Sequence, residues 1–341
     1  MKTSKVSKPA KDYIAMWFDV RKELGISDAM NIGPMNKANG NTQWHTFSHS
    51  KMDGIGGIAT ILREQGYPCQ RLPQSGEKSE PSAWKLYKLS KSERKKKKSN
   101  NTYTPYKSIR WKNNFSCGND NTAEIVNAYF DNESTLQIKK NAKKNRVAFS
   151  TFLMWALNKA IADNLIEGNQ NYYWFYPVNL RGAISLGSDT SNYSSGINIC
   201  LNNYITPKQL QQEIKDKIKL KEHWSTWKLA HIGKLVGKPG IRYIYNSISK
   251  KNFYAGSFSY LGAWPLQGEK NPTENKSEVW VSCGIGTKNY PVSTGIMEWH
   301  GQLTLGLKLH PMICQDVALT QKCLSDWKYN LLEDKNHNEF I

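Results

Sequence analysis

No stretch of the chain is apolar over a membrane-spanning length, and its first residues lead into no apolar signal core. The six cysteines include no Cys-x-x-Cys pair and no spacing typical of zinc ligands. No internal repeat of solenoid length is present. From these absences we expect a cytoplasmic protein with reduced thiols, no membrane span and no bound metal.

Acidic residues are scarce, since 28 Asp and Glu accompany 47 Lys and Arg, for a formal net charge of +19. Such a charge favours an anionic partner, and the candidates are nucleic acid, a membrane surface, an acidic protein or a phosphorylated cofactor. Five basic residues follow one another at Arg94–Lys98, inside a polar insert at about 69–121. Runs of this kind are usually solvated and mobile, and a specific anion-binding role is the alternative.

The 12 Trp and 17 Tyr beside this charge raise the alternative of a nucleic-acid-binding protein. The aromatic residues, however, fall in segments that the pattern predicts to be buried, and no nucleic-acid-binding motif occurs in the sequence. We therefore do not expect nucleic acid to be the partner.

A histidine, an aspartate and a glycine are closely spaced at His49, Asp53 and Gly54. Residues 42–48 before them are rich in β-branched and aromatic types and predict a strand. Apolar residues after them follow a helical period up to Gly66. His49 is thus predicted to lie in a glycine-rich turn between a strand and a helix, where a side chain can be presented to a cleft.

The remaining pattern mixes helices with strands. Helices are predicted at 12–26, after a cap at Asn132 or Ser134, at 147–165, from Thr206-Pro207 onward, at 243–248 and in the last apolar segment, which includes Leu319 and Leu331. Strands are predicted at 123–130, 172–178 and 196–201, and at about 278–284, 292–299 and 302–309. A strand and turn are predicted at 255–262, and Gly33-Pro34 is predicted to be a turn. This mixture predicts an α/β or α+β protein.

The His-x-x-x-Asp-Gly segment resembles the motif of the CoA-dependent acyltransferase superfamily, which includes chloramphenicol acetyltransferase, the plant BAHD enzymes, alcohol acyltransferases, wax-ester synthases and condensation domains of peptide synthetases. The segment PVNLRG at 177–182 is similar to a strand end of the same enzymes, and SFSYLG at 257–262 is similar to the strand that lines their acyl tunnel. Two features depart from the superfamily. Only 48 residues precede His49, and the Asp-Phe-Gly-Trp-Gly motif of the plant enzymes is missing.

The resemblance implies a chloramphenicol-acetyltransferase-like fold, with two sheet-plus-helix halves at 1–168 and 169–341 and a tunnel between them. It implies an enzyme that moves an acyl group from acyl-CoA, or from acyl-phosphopantetheine on an acidic carrier protein, to an alcohol or amine acceptor. No bound cofactor is expected. A non-catalytic docking module of the same fold is an alternative.

The resemblance also assigns roles to residues. His49 corresponds to the general base, and Asp53, followed by Gly54, corresponds to a residue that holds the turn in shape. Asp53 is expected either to cap the helix or to pair with Arg181.

Acyl transfer from a thioester needs a base near neutral pKa and a donor for the oxyanion, but no nucleophile on the enzyme. Candidates for the oxyanion or the tunnel wall are Ser257, Ser259 and Tyr260, the last standing where the superfamily commonly has Asn. A metal site at His45, His49 and Asp53 is disfavoured because their spacing aligns ligands only on a helix.

Overall fold

The structure is a computed structural model that describes residues 15–89, 91, 108–119, 122–231, 233–249, 254–269, 272 and 275–333. The predicted basic run at Arg94–Lys98 lies outside these residues. None of the described helices is long and apolar enough to cross a membrane.

The named helices are α1 (Ala15–Glu23), α2 (Gly54–Glu64), α3 (Asn132–Lys144), α4 (Phe149–Leu165), α5 (Pro207–Lys219), α6 (Glu222–His231), α7 (Gly233–Ser249) and α8 (Val317–Leu332). The strands are β1 (Ala29–Asn36), β2 (His45–Ser48), β3 (Val126–Tyr129), β4 (Tyr172–Asn179), β5 (Ser194–Leu201), β6 (Tyr254–Ser257), β7 (Tyr260–Trp264), β8 (Glu278–Cys283), β9 (Val292–Trp299) and β10 (Gln302–Leu309). A short helix also lies at 83–89.

The strands form two sheets. The larger has seven strands in the order β3-β10-β9-β6-β4-β5, with β7 paired to β9, and the smaller has three in the order β2-β1-β8. This mixed architecture of two sheets with helices agrees with the predicted fold class. Each sheet contains strands from both sides of residue 168, so the predicted sequence boundary does not separate the sheets in space.

The core of the larger sheet lies between β10 and the helices α4 and α8. The four leucines of β10 that alternate in the sequence, from Leu303 to Leu309, are fully buried, and Thr304 between them is buried as well. The second face is covered because β8 crosses it, and a side chain at Gly306 would meet the Ser282 carbonyl. β10 is therefore buried on both faces, unlike a strand with one solvated face.

The prediction of a turn at Gly33-Pro34 is wrong, because these residues lie inside β1, the central strand of the smaller sheet. A Cβ on Gly33 would lie 1.9 Å from the Gln43 carbonyl oxygen, so the close approach of the neighbouring chain explains the glycine. Pro34 lies beyond the paired register of β1 with β2, which ends at Ile32. Packing between strands has overridden the local turn preference here.

Two helix boundaries also differ from the predictions. The cap of α3 is Asp131 and not Asn132 or Ser134, since the Asp131 carboxylate accepts a hydrogen bond from the Ser134 amide. The helix predicted at 243–248 extends from Gly233 to Ser249, with a kink at Gly237. The glycines and the proline near its start locally favour a turn, so the first turns of this helix were not predicted from the sequence.

The described parts of the predicted polar insert at 69–121 contribute to the core. Leu72, Leu86, Ile109 and Trp111 are each at most 6% exposed. These isolated apolar residues anchor the segment although its composition is polar.

Candidate active site

The turn that carries His49 connects β2 to α2 and is held by hydrogen bonds from outside. The His49 amide donates to the Asp28 carbonyl at 2.8 Å, and the Asn192 side-chain amide donates to the His49 carbonyl at 2.7 Å. The Asp28 carboxylate accepts from the Ser48 hydroxyl and from the Ser50 amide. The backbone on both sides of the histidine is therefore fixed.

The imidazole has a defined orientation. Its Nδ1 lies 3.0 Å from the Met52 carbonyl oxygen, which can only accept a hydrogen bond. Nδ1 must therefore carry the proton, and in the neutral ring Nε2 is the unprotonated nitrogen. Burial lowers the pKa of His49 below its ordinary value of 6.5, against the opposing effects of the Met52 carbonyl and the Asp53 carboxylate. The ring is consequently neutral at neutral pH.

The Asp53 carboxylate is 5% exposed and accepts four hydrogen bonds. Arg181 donates to both oxygens at 2.8 Å, the Gly56 amide donates to Oδ1 at 2.8 Å, and the Tyr193 amide donates to Oδ2 at 2.8 Å. The predicted contact with Arg181 and the predicted helix cap are therefore both present. With its acceptor sites occupied, the carboxylate has no hydrogen-bonding capacity left for a substrate.

Arg181 is 2% exposed and makes further contacts behind the turn. Its Nε donates to the Asp189 carbonyl at 2.9 Å, one terminal nitrogen donates to the Ser191 carbonyl at 3.0 Å, and the guanidinium lies over the Tyr193 ring at 4.8 Å. This side chain organises the loop before β5 as well as the start of α2. Arg181 does not line the cavity described next.

The glycines after Asp53 allow close packing at the start of α2. A Cβ on Gly56 would lie 2.0 Å from the Thr190 carbonyl oxygen, and a Cβ on Gly54 would lie 2.5 Å from a methyl group of Leu261. Gly56 therefore lets the helix approach the loop before β5, which also contains Asn192 and Tyr193.

A cavity of about 400 Å³ opens at His49. Its walls come from α1, from the His49 turn, from β4, from β6 and β7 and from the loop before β9. They include His49, Asp53, Gly54, Arg21, Phe18, Phe175, Tyr176, Ser257, Ser259, Tyr260 and Tyr290. The structure thus brings six of the seven site residues predicted from the sequence to one cavity, with Arg181 behind it.

The three predicted tunnel residues differ in what their hydroxyls do. Thr294 holds the backbone around Ser257 and Ser259, because its hydroxyl donates to the Ser257 carbonyl and accepts from the Ser259 amide. In the described part of the chain neither serine hydroxyl has a hydrogen-bond partner. The Tyr260 hydroxyl instead donates to Glu298 at 2.6 Å, and its pKa is raised by burial and by that carboxylate. The hydroxyl proton of Tyr260 is therefore donated to Glu298 and is not available to a ligand in the cavity.

Asn192, Tyr193 and Arg21 were not predicted from the sequence to belong to this site. Asn192 and Tyr193 lie in a polar loop without periodicity, and only the partial likeness of the neighbouring PVNLRG segment pointed toward this region. Arg21 lies on α1, where a cation on an amphipathic helix is ordinarily expected to face solvent. No sequence signal distinguishes it.

His45 lies at the start of β2 and stacks on Trp280, with ring centroids 6.2 Å apart and planes 3° from parallel. Within the described ranges, no group of three His, Cys, Asp or Glu side chains is arranged to hold a metal ion.

No protein-family model and no curated protein matches this sequence. Solved structures do match. A nonribosomal peptide synthetase, FmoA3, aligns at 12% identity with a TM-score of 0.54, over 88% of this chain and 32% of its own. The chain has a condensation-domain-like fold.

Two further structures align over most of the chain. The epimerization domain from the third module of tyrocidine synthetase B aligns at 11% identity with a TM-score of 0.49, over 84% of this chain and 67% of its own. TRI3 trichothecene 15-O-acetyltransferase from Fusarium sporotrichioides aligns at 12% identity with a TM-score of 0.48, over 95% of this chain and 76% of its own. At these identities the likeness concerns the fold alone.

Proposed function

We propose that this protein is an acyltransferase that moves an acyl group from a thioester to a hydroxyl or amine acceptor, with His49 as the general base. The observation that carries the proposal is the hydrogen bond between His49 Nδ1 and the Met52 carbonyl, in a side chain that lines the cavity. That bond leaves Nε2 as the basic nitrogen. The condensation-domain-like fold supports acyl transfer as the class of reaction.

In the proposed reaction, Nε2 takes the proton of the acceptor as its oxygen or nitrogen attacks the thioester carbonyl carbon. The tetrahedral intermediate collapses with cleavage of the carbon–sulfur bond, and the imidazolium returns the proton to the departing thiolate. The protein forms no covalent intermediate. The lowered pKa of His49 keeps the base neutral before the acceptor binds.

The negative oxygen of the intermediate needs a hydrogen-bond donor. Ser257 and Ser259 are the candidates, because both line the cavity with His49 and their hydroxyls are not engaged by other described residues. Tyr260 is a poorer donor because its proton is held by Glu298. We assign Tyr260 to the wall of the cavity.

Asp53 and Arg181 are structural in this proposal. Their mutual hydrogen bonds and the cap on α2 fix the end of the turn four residues after His49. Neither group has a free atom that points to the reacting centre, so we assign them to positioning of the base.

The donor in this proposal is acyl-CoA or an acyl group on the phosphopantetheine arm of an acidic carrier protein. Both donors are anionic, and the formal net charge of +19 favours their association. None of the six cysteines forms a disulfide, which favours the reducing cytoplasm as the location.

The proposal is tested with purified protein, a panel of acyl-CoA thioesters and acyl carrier proteins, and a panel of small alcohols and amines, with mass spectrometry of the products. Acylated product that depends on the protein and on His49 is the expected result. A protein that binds the donors without any turnover across the panel would favour the non-catalytic docking module. Binding to generic DNA that weakens steeply with salt would favour the nucleic-acid alternative.

A further inference from the structure

Arg21 lines the cavity with most of its hydrogen-bonding capacity unused. Its one hydrogen bond to the described protein is a long contact of 3.4 Å from a terminal nitrogen to the Ser27 carbonyl. Its Nε is buried without any partner, and none of the described carboxylates forms an ion pair with it. A guanidinium has five N–H donors, so most of the donors of this side chain remain available to a ligand.

The position of Arg21 relative to His49 is defined by Phe18. The guanidinium lies over the Phe18 ring at 5.1 Å, and the same ring meets the His49 imidazole edge-on at 5.5 Å. Arg21 and His49 therefore contact one aromatic side chain in the wall of one cavity. A small molecule that reaches the base can also reach the guanidinium.

Arg21 is partly buried, and its buried Nε has no hydrogen-bond partner, so its place in a cleft indicates a negatively charged ligand that accepts hydrogen bonds. Asp28 attracts the Arg21 charge, but within the described residues it forms no ion pair with Arg21, and its carboxylate accepts hydrogen bonds from Ser48 and Ser50. Burial lowers the pKa of Arg21, against the opposing effects of two tyrosines and of Asp28. The planar fork of arginine matches a carboxylate in two parallel hydrogen bonds.

We propose that Arg21 binds a carboxylate of the substrate, so that the cavity selects an acidic acceptor or a dicarboxylic acyl group. The phosphates of CoA are less suitable occupants, because the whole pantetheine arm separates them from the thioester that must lie at His49. This inference rests on the proposed function, because that function identifies the two possible occupants as an acceptor and an acyl group. The binding itself requires no turnover.

The test measures binding by calorimetry, without turnover, for two matched pairs of probes. The first pair is 4-hydroxyphenylacetate and its neutral amide, which represent the acceptor. The second is succinyl-CoA and pentanoyl-CoA, which represent the acyl group. We expect the protein to prefer the acid in one of the pairs, and the pair that shows the preference identifies the source of the carboxylate.

The variants are Arg21→Gln, Arg21→Lys and the control Lys22→Gln. Arg21→Gln should weaken binding of the preferred acid about ten- to a hundredfold and leave the neutral partner nearly unchanged. Arg21→Lys should retain part of the preference because it keeps the charge but loses the fork. Lys22→Gln removes one positive charge from the exposed side of the same helix and should have little effect.

Thermal unfolding separates this role from a structural one. Because Arg21 has no strong partner in the protein, Arg21→Gln should not lower the melting temperature. A lowered melting temperature with an unchanged acid preference would overturn the proposal, as would equal binding of acid and neutral probes by the wild type in both pairs. If Arg21→Gln does not fold, the same comparison is made with Arg21→Lys. The binding test does not depend on acyl transfer, so a failure of the proposed function leaves the binding result interpretable.

Discussion

Arg181 donates two hydrogen bonds of 2.8 Å to Asp53, a residue 128 positions away in the sequence. Arg181 follows β4 of the larger sheet, and Asp53 begins the helix that follows β2 of the smaller sheet. The ion pair therefore joins the two sheets behind the turn that carries His49. The shape of the candidate active site depends on this connection.

Asp53→Ala should lower the free energy of unfolding by about 3–5 kcal/mol, because it leaves a buried guanidinium without its partner. Arg181→Ala should have a similar effect, since it leaves the carboxylate unpaired. The double variant should lose less than the sum of the two single losses. Urea denaturation of the four proteins measures this coupling.

The matched control is Asp163→Asn, which breaks the ion pair of Asp163 with Lys159 at the surface. The side chains of that pair are 53% and 34% exposed, so the loss should be within about 1 kcal/mol. Strictly additive losses for Asp53 and Arg181 would rule out their coupling and leave Asp53 with the helix cap alone.

Asn192→Ala should slow acyl transfer with little change in the KM for either substrate. Its amide holds the His49 carbonyl at 2.7 Å and its side-chain oxygen accepts from the Ser194 amide at 3.0 Å, so its loss should let the turn shift. A small misplacement of a catalytic group can reduce kcat up to about 10²-fold. Steady-state kinetics measures the effect.

The control for this prediction is Asn203→Ala. The Asn203 side-chain amide donates to the Gly168 carbonyl away from the cavity, so its loss should leave kcat unchanged. An equal loss of kcat in both variants would contradict a positioning role for Asn192.

The turn, its two neighbouring elements and the contact between Asp53 and Arg181 could be predicted from the sequence. The strand before His49 and the apolar period after it are local patterns, and a buried carboxylate needs a cation. The strands at 292–299 and 302–309 could also be predicted, since the structure has both strands at the predicted residues.

The remaining parts could not be predicted because tertiary contacts decide them. β1 contains Gly33 and Pro34, which locally favour a turn, and only the approach of Gln43 shows why a glycine is needed in that strand. Asn192 lies in a loop without any pattern. Arg21 gains its significance from a cavity assembled from distant segments, which a local sequence pattern does not record.

The acid limb of the kcat/KM profile should have an apparent pKa below 6.5, because burial lowers the pKa of His49. Only the neutral ring accepts a proton, so activity is retained above this pKa and is lost as the pH falls through it. Arg21→Gln should move the acid limb to higher pH, since the Arg21 charge contributes to the lowered pKa. An acid limb above 6.5 in the wild type would contradict the assignment of the base.

Higher ionic strength should raise the KM for acyl-CoA and leave kcat nearly unchanged. The formal net charge of +19 attracts the CoA phosphates, and salt screens that attraction. Kinetics at several salt concentrations measure the effect, with an acyl-pantetheine thioester that lacks the phosphates as the control. The control should show little dependence on salt, and equal dependence for both donors would remove the electrostatic explanation.

The most direct test of His49 as the general base compares acyl transfer by the wild type, His49→Ala and His45→Ala. His49→Ala should lower the rate about 10²–10⁴-fold while its melting temperature stays close to that of the wild type, because the role of this side chain is catalytic. His45→Ala removes an imidazole from the same segment, outside the cavity, and should retain activity. If His49→Ala retains most of its activity, His49 is not the general base.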